Sequence, residues 1–195
     1  ILVSVFLFGG LSYLTQKQIR IWENGETLWT YVIQHDDKVP LAYKQLGVHL
    51  FEKAEYAPAA EMMSKALSLK PLDAELLSNL SICYLELGEL DNAMQAVTNA
   101  LRIEGNNLHA LNTLGEIHLA REEYTDANRI FFQAMQLQPN HPLRLFNLAV
   151  SFDKLNDAPQ SCLYWRRFMN VDVSEAYDAE IIEHLAEIGC PVPKP

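Results

Sequence analysis

The chain has 195 residues, of which 49% are hydrophobic, and its 15 lysines and arginines face 25 acidic residues, for a formal net charge of −10. This length suits one domain, or two at most, and the hydrophobic content excludes a wholly disordered chain. The acidic balance argues against the basic surface that nucleic-acid-binding proteins carry. We therefore expect no nucleic-acid partner.

The chain opens with an uncharged apolar run, ILVSVFLFGGLSYL at residues 1–14, followed by Lys17 and Arg20. As a helix this run would span about 21 Å, less than the ~30 Å hydrocarbon core of a bilayer. It has neither the basic leader nor the small-residue cleavage site of a signal peptide. We predict that residues 1–19 are the end of a transmembrane helix, truncated at its start, that contacts the lipid bilayer. A buried core helix is the alternative.

Residues 46–71, LGVHLFEKAEYAPAAEMMSKALSLKP, recur at intervals of 34 residues. They align without gaps to 80–105 and 114–139, and more loosely to 148–173. Each copy begins with leucine and a small residue: Leu46–Gly47, Leu80–Ser81, Leu114–Gly115 and Leu148–Ala149. Each also carries a second small residue with a large one four positions later: Ala59 and Met63, Ala93 and Val97, Ala127 and Phe131, Ser161 and Trp165. Small residues at matched positions predict pairs of closely packed helices.

This pattern resembles the tetratricopeptide repeat, a helix-turn-helix unit of 34 residues. The resemblance covers residues 40–175 and implies an all-α fold, a right-handed α-solenoid with repeats at 40–73, 74–107, 108–141 and 142–175. The fourth is divergent, because Val173 replaces a closing proline and Phe168 stands where the others have alanine. Residues 176–189 predict a capping helix with a polar outer face, and 190–195 a tail.

Residues 20–39 continue the pattern towards the N-terminus as a half-repeat junction. Counting back 34 positions from Ala59 and Met63 reaches Gly25 and Trp29. We predict that residues 22–35 are the second helix of this half-repeat and that residues 6–19 are its first. In this register Trp29 packs against the first full repeat rather than against lipid.

The sequence shows no catalytic constellation. The triplet HDD at 35–37 precedes a proline at a predicted helix end, where polar turn residues are usual. Cys83, Cys162 and Cys190 have no CxxC-type spacing, so they indicate neither a zinc site nor a disulfide framework. Cys83 and Cys162 are predicted to be small buried residues of apolar helices. We therefore predict no catalytic residue, no metal, no cofactor and no enzymatic activity for this chain.

The first helices of tetratricopeptide repeats line a concave groove, and the resemblance implies which side chains face it. We expect a protein or peptide partner to bind there. The candidate residues are Lys44, Val48, Glu75, Ser78, Asn79, Ile82, Glu86, His109, Asn112, Glu116, Phe146, Asn147, Val150 and Asp153.

Chaperone-binding members of this family hold a C-terminal carboxylate in a clamp of basic and asparagine side chains. Of the five clamp positions, Lys44 and Asn79 match, whereas Val48, His109 and Thr113 replace asparagine, lysine and arginine. Acidic side chains lie nearby in the sequence. We predict that the groove prefers extended segments with apolar and basic side chains over acidic C-terminal tails.

Three functions remain open at this point. The repeats, the acidic charge and the lack of catalytic residues favour a membrane-anchored scaffold whose repeats lie on one aqueous face of the membrane. Such a scaffold would bind a protein partner in the assembly or positioning of a membrane complex. The junction also resembles that of polytopic glycosyltransferases of the protein O-mannosyltransferase type, which implies the C-terminal, extracytoplasmic part of an enzyme. The matching residues are Arg20, Trp22, Leu28, Trp29, Pro40, Leu46 and Gly47. A soluble assembly factor is the third.

Overall fold

The computed structural model describes residue 15, residues 21–171 and residues 178–190. All regular secondary structure in this part of the chain is helical, which confirms the predicted all-α class. The chain divides into two compact units, Ile1–Gly88 and Glu89–Pro195. The first unit holds α1 (Gly25–His35), α2 (Pro40–Glu52), α3 (Tyr56–Leu69) and α4 (Ala74–Glu86). The second holds α5 (Leu90–Ile103), α6 (Leu108–Ala120), α7 (Tyr124–Leu137), α8 (Pro142–Lys154), α9 (Ala158–Met169) and α10 (Asp178–Glu187).

The helix starts repeat with the interval seen in the sequence. Helices α2, α4, α6 and α8 each have 13 residues and begin at positions 40, 74, 108 and 142, which are 34 apart. Helices α3, α5, α7 and α9 begin at 56, 90, 124 and 158, again 34 apart. Within the units, α2 packs on α3, α6 on α7 and α8 on α9. We call α2, α4, α6 and α8 the first helices.

The turn after each first helix contains one residue with positive φ. The angle is 58° at Ala54, 74° at Gly88, 61° at Glu122 and 56° at Asn156. In the first turn, the next backbone N–H, that of Glu55, closes the helix end by donating to the Leu50 carbonyl at 2.9 Å. Glycine adopts this conformation without a Cβ penalty, and asparagine tolerates it. Alanine and glutamate do not, so two of the four turns carry backbone strain.

Two glycines set the distance between paired helices. A Cβ on Gly115 would lie 2.2 Å from Cε1 of Phe131, and one on Gly47 would lie 2.8 Å from Cγ of Met63. Phe131 and Met63 are fully buried. The prediction that small residues let the paired helices pack closely is therefore confirmed at these two glycines. The second small column is also fully buried, at Ala59, Ala93, Ala127 and Ser161.

Helix α1 packs on α2 but buries none of its residues completely. Asn24 caps its N-terminus by accepting the Thr27 N–H at 2.9 Å. Trp29 is half-buried, so it contributes less packing than a core tryptophan would. A Cβ on Gly25 would come no nearer than 3.9 Å to a neighbouring atom, which is ordinary contact. Gly25, which occupies the small-residue position equivalent to Ala59, is therefore not required there by a steric contact.

The predicted membrane location is wrong. Among the described residues, no helix is long and apolar enough to cross a bilayer. Helices of 10 to 14 residues reach about 15–21 Å, against a hydrocarbon core of ~30 Å. Apart from residue 15, the predicted transmembrane segment 1–19 and its proposed lipid contact lie outside the described residues.

A disulfide joins Cys162 on α9 to Cys190, with their Cα atoms 5.6 Å apart. The prediction of no disulfide is therefore wrong. Sequence spacing missed the pair because the two residues meet only when α10 packs back on α9. Cys83 is buried and free, as predicted, and burial raises the pKa of its thiol to about 11.

Candidate functional site

The candidate residues on the first helices are collectively called the first-helix face. In the first unit, α2 and α4 contact each other and bring their candidates together. Glu75 and Glu86 are exposed there, and Ser78 is buried. The remaining four, Lys44, Val48, Asn79 and Ile82, are half-buried. This part of the face therefore presents carboxylates around a partly apolar floor.

Lys44 is not a free cation on this face. Its Nζ lies 2.8 Å from Oδ2 of Asp73 and 3.3 Å from Oε2 of Glu75. The hydrogen bond to Asp73 raises the pKa of Lys44 above its usual value, against the opposing effect of burial. Burial alone would raise the pKa of Asp73, but the bonds from Lys44 and from the Leu76 N–H lower it. Asp73 thus caps α4 and neutralises Lys44 at the same time.

An open cavity of about 440 Å³ adjoins this ion pair. Besides Lys44 and Asp73 it is lined by Leu41, whose side chain is 55% exposed, and by Lys70. Sequence reasoning missed Leu41 and Asp73 because neither occupies a groove position of the repeat. The available signal in the sequence was a leucine directly after Pro40, outside the repeated apolar positions.

In the second unit the first-helix face divides into exposed, half-buried and buried members. His109 is exposed, whereas Glu116 and Val150 are half-buried. Asn112 on α6 and Asn147 on α8 are buried, at 6% and 5% exposure. Their Oδ1 and Nδ2 atoms, respectively, have no hydrogen-bond partner within the described part of the chain.

Two predicted face residues instead hold the C-terminal end of the second unit together. Phe146 packs edge-on against Trp165, with ring centroids 5.3 Å apart. Asp153 accepts the Trp165 Nε1–H at 2.8 Å, lies 2.9 Å from Nε2 of His184 on α10, and accepts a bond from Ser161. These contacts occupy both side chains, so we assign them to packing rather than to ligand contact.

The loops before α6 and α8 enclose a cleft of about 390 Å³ in the second unit, which we call the α6–α8 cleft. Its lining includes Glu104, Asn106, Asn107, Leu108, His109, Asn112, Gln138, His141, Leu143 and Arg144. Arg144 is only 4% exposed. Its Nε and Nη1 atoms, like Nδ1 of His141, are buried with no hydrogen-bond partner among the described residues. The cleft therefore combines a desolvated cation with other unused polar atoms.

Burial lowers the pKa of Arg144, and burial together with the Arg144 charge lowers that of His141. Sequence reasoning missed Arg144, although a signal existed. Its equivalents 34, 68 and 102 residues earlier are Ala110, Leu76 and Ala42, which are all buried and apolar. A charged residue in a buried apolar column is the kind of exception that marks a functional position.

Comparisons with known proteins agree with this architecture. Residues 50–114 match the family model described as tetratricopeptide repeat. The crystal structure of YrrB, described as a TPR protein with an unusual peptide-binding site, matches with a TM-score of 0.71 at 16% identity, over 91% of this chain and 89% of that one. The fold is a tetratricopeptide repeat fold.

Similar sequences occur in larger proteins. The BBSome complex member BBS4 of Xenopus tropicalis is 35% identical over 98 residues, which are 50% of this chain and 19% of that protein. Hsp70-Hsp90 organizing protein 1 of Glycine max is 21% identical over 123 residues, 63% of this chain and 22% of that protein. The chain thus spans about a fifth of these relatives' lengths. The resemblance to O-mannosyltransferases finds no support in these matches.

Proposed function

We propose that this protein is a scaffold that binds an extended segment of a partner protein on its first-helix face, in the assembly or positioning of a protein complex. The repeats predicted at 40–73, 74–107, 108–141 and 142–175 supply this face. The similar proteins support the proposal because they are described as a complex member, a chaperone-organizing protein and a peptide-binding TPR protein.

One observation carries the proposal. In the second unit, Asn112 on α6 and Asn147 on α8 each have a buried polar atom without a partner among the described residues, and in the first unit Ser78 on α4 has another. Burying such an atom costs about 1–3 kcal/mol when no hydrogen bond replaces its bond to water. A peptide backbone supplies alternating N–H and C=O groups that match the amide oxygen of Asn112 and the amide nitrogen of Asn147 in the second unit. An extended segment is therefore the ligand that these positions fit.

The charges of the first unit favour a basic and apolar segment. Glu75 and Glu86 are exposed on α4, and Lys44 is already neutralised by Asp73. The chaperone clamp is not reproduced, because Thr113, at the position of the clamp arginine, is buried and donates to the His109 carbonyl at 3.0 Å. The O-mannosyltransferase alternative finds no support among the similar proteins, and we do not retain it.

Fluorescence-polarisation titrations with capped nonapeptides test this proposal. We expect lysine- and leucine-rich peptides to bind the full chain more tightly than matched glutamate- and leucine-rich ones. Replacing Glu75 and Glu86 by lysine should weaken binding of the lysine-rich peptides by roughly 5- to 30-fold, because two exposed charges at about 0.5–1 kcal/mol each amount to about 1–2 kcal/mol. Glu61→Lys, an exposed change on the second helix α3, is the matched control and should have no effect.

Three results would contradict the proposal at different points. Tighter binding of the acidic peptides would overturn the charge preference. Equal losses in the α4 variant and in Glu61→Lys would overturn the location on the first-helix face. If no peptide bound, the binding function itself would be refuted.

A further inference from the structure

Arg144 in the α6–α8 cleft is a buried cation without a counter-ion. It is 4% exposed and forms no ion pair with any carboxylate in the described ranges. A buried charge of this kind is costly, because the interior replaces neither the hydration of the guanidinium nor its ionic partner. Alanine or leucine fills the equivalent position elsewhere in the chain, so the fold does not need a charge there.

The rest of the cleft is arranged for a negative group. Helix α8 starts with Pro142, and its N-cap residue His141 makes no side-chain capping bond. The positive end of the helix dipole is therefore not satisfied by a capping side chain of that residue. Nδ1 of His141 is buried and unpartnered in the described structure, and in the tautomer protonated at Nδ1 it can donate to an anion. Guanidinium, helix N-terminus and imidazole lie together around one cavity.

Two other groups shape the cleft. Oδ1 of Asn112 is a buried acceptor, suited to a backbone N–H of a bound segment. Glu104, at the rim, is exposed and accepts a bond from Nδ2 of Asn107 at 2.9 Å. Its carboxylate opposes anions that lie at the mouth, so a ligand must insert its negative group past the rim to reach Arg144. This geometry favours the carboxylate of one inserted side chain over diffuse surface charge.

We propose that the α6–α8 cleft binds the carboxylate of one acidic side chain, aspartate or glutamate, within the otherwise basic and apolar segment of the partner. The inference rests on the proposed function, because the carboxylate arrives on the peptide bound by the first-helix face. Arg144 provides the counter-charge, the N-terminus of α8 adds to the positive potential, and Asn112 holds the adjacent backbone. Arg144 occupies none of the five positions of the chaperone clamp.

A peptide series with one variable position tests the proposal on the full chain. The host is a lysine- and leucine-rich nonapeptide with acetylated and amidated ends, whose central residue is glutamate, aspartate, glutamine, asparagine or phosphoserine. A further version has a central glutamine and a free C-terminus. We expect central glutamate or aspartate to bind roughly 10-fold or more tightly than the amide isosteres, the advantage of a charge-assisted bond in a buried site.

Variants of Arg144 should remove this preference. In Arg144→Leu and in Arg144→Gln the acid and amide peptides should bind equally, whereas Arg129→Gln should keep the preference. Arg129 is the control because it is an exposed arginine on α7 that pairs only with Asp126 in the described structure. Without ligand, Arg144→Leu should raise the melting temperature by about 2 °C or more, because it removes a buried unpaired charge.

The outcomes separate the two proposals. If acid and amide peptides bind the unmodified protein equally well, the carboxylate site is refuted while peptide binding stands. An acid preference that persists in both Arg144 variants would also overturn it. Preferential binding of phosphoserine, or of the free C-terminus, would assign the cleft to a different anion. If no peptide binds at all, both proposals fail together.

Discussion

The contact between Gly115 and Phe131 makes a quantitative prediction about stability. A Cβ at position 115 would lie 2.2, 2.6 and 2.7 Å from three atoms of the Phe131 ring. Carbon atoms in contact prefer about 3.5–4.0 Å, so the shortest approach must open by about 1.3 Å. Phe131 is fully buried and its ring is rigid, which places the strain near the upper end of the ~1–3 kcal/mol typical of overpacking. Alanine recovers about 1 kcal/mol of helix propensity. Gly115→Ala should therefore destabilise the protein by about 2 kcal/mol.

Urea denaturation followed by circular dichroism at 222 nm measures this loss. Gly47→Ala is the milder comparison, because its Cβ would meet Cγ of Met63 at 2.8 Å and the Met63 backbone N at 3.2 Å, so its net cost should be about 1 kcal/mol. A double-mutant cycle with Phe131→Leu should show a favourable coupling of at least about 1 kcal/mol, since the smaller side chain makes room for the methyl group. A Gly115→Ala variant as stable as the unmodified protein would refute this account of the packing.

Three further predictions concern the turns, an ion pair and the disulfide. Ala54→Gly should stabilise the protein by about 0.5–1 kcal/mol in thermal melts, because glycine relieves the strain of a positive φ. Asn156→Gly is the control and should be nearly neutral, because asparagine tolerates this conformation. Equal effects of the two substitutions would contradict the strain argument. The pKa of Asp73 is lowered in the folded protein, so its pairing with Lys44 stabilises the fold above pH ~4, and this contribution is lost as the pH falls further. Asp73→Asn keeps the oxygen that caps α4 but removes the titrating carboxyl group. The variant should therefore lose less stability than the unmodified protein as the pH is lowered below about 4. Cys190→Ser should lower the free energy of unfolding by about 3–4 kcal/mol, because the disulfide closes a loop with a sequence separation of 28 and so restricts the unfolded chain. Dithiothreitol should cause the same loss of stability in the unmodified protein and no further loss in the variant.

The sequence predicted most of the regular architecture because the repeat pattern and the packing have the same physical cause. Small and large residues recur every 34 positions where helices must approach, and the glycine contacts with Met63 and Phe131 show that requirement directly. Helices α2 and α8 begin with Pro40 and Pro142, and proline is favoured at the first position of a helix.

Features that depend on tertiary neighbours were missed or overestimated. The pairing of Cys162 with Cys190 depends on how α10 packs, which no local spacing reports. Groove positions carried over by register assigned Phe146 and Asp153 to ligand contact, although aromatic packing and hydrogen bonds occupy both. Arg144 was not predicted because a repeat pattern indicates the residues that a column shares, whereas Arg144 is the exception in its column.

The disulfide also determines how the end of the second unit carries mechanical load. Tension applied to the chain after Cys190 passes through the sulfur atoms to Cys162 and enters α9 directly. The intervening 27 residues, which include the rest of α9 and all of α10, lie outside this force path (190 − 162 − 1). A pull from the C-terminal side therefore cannot peel α10 away as its first event. It loads the N-terminal turn of α9 instead, where the Ser161 hydroxyl donates to Asp153 of α8 and resists the pull.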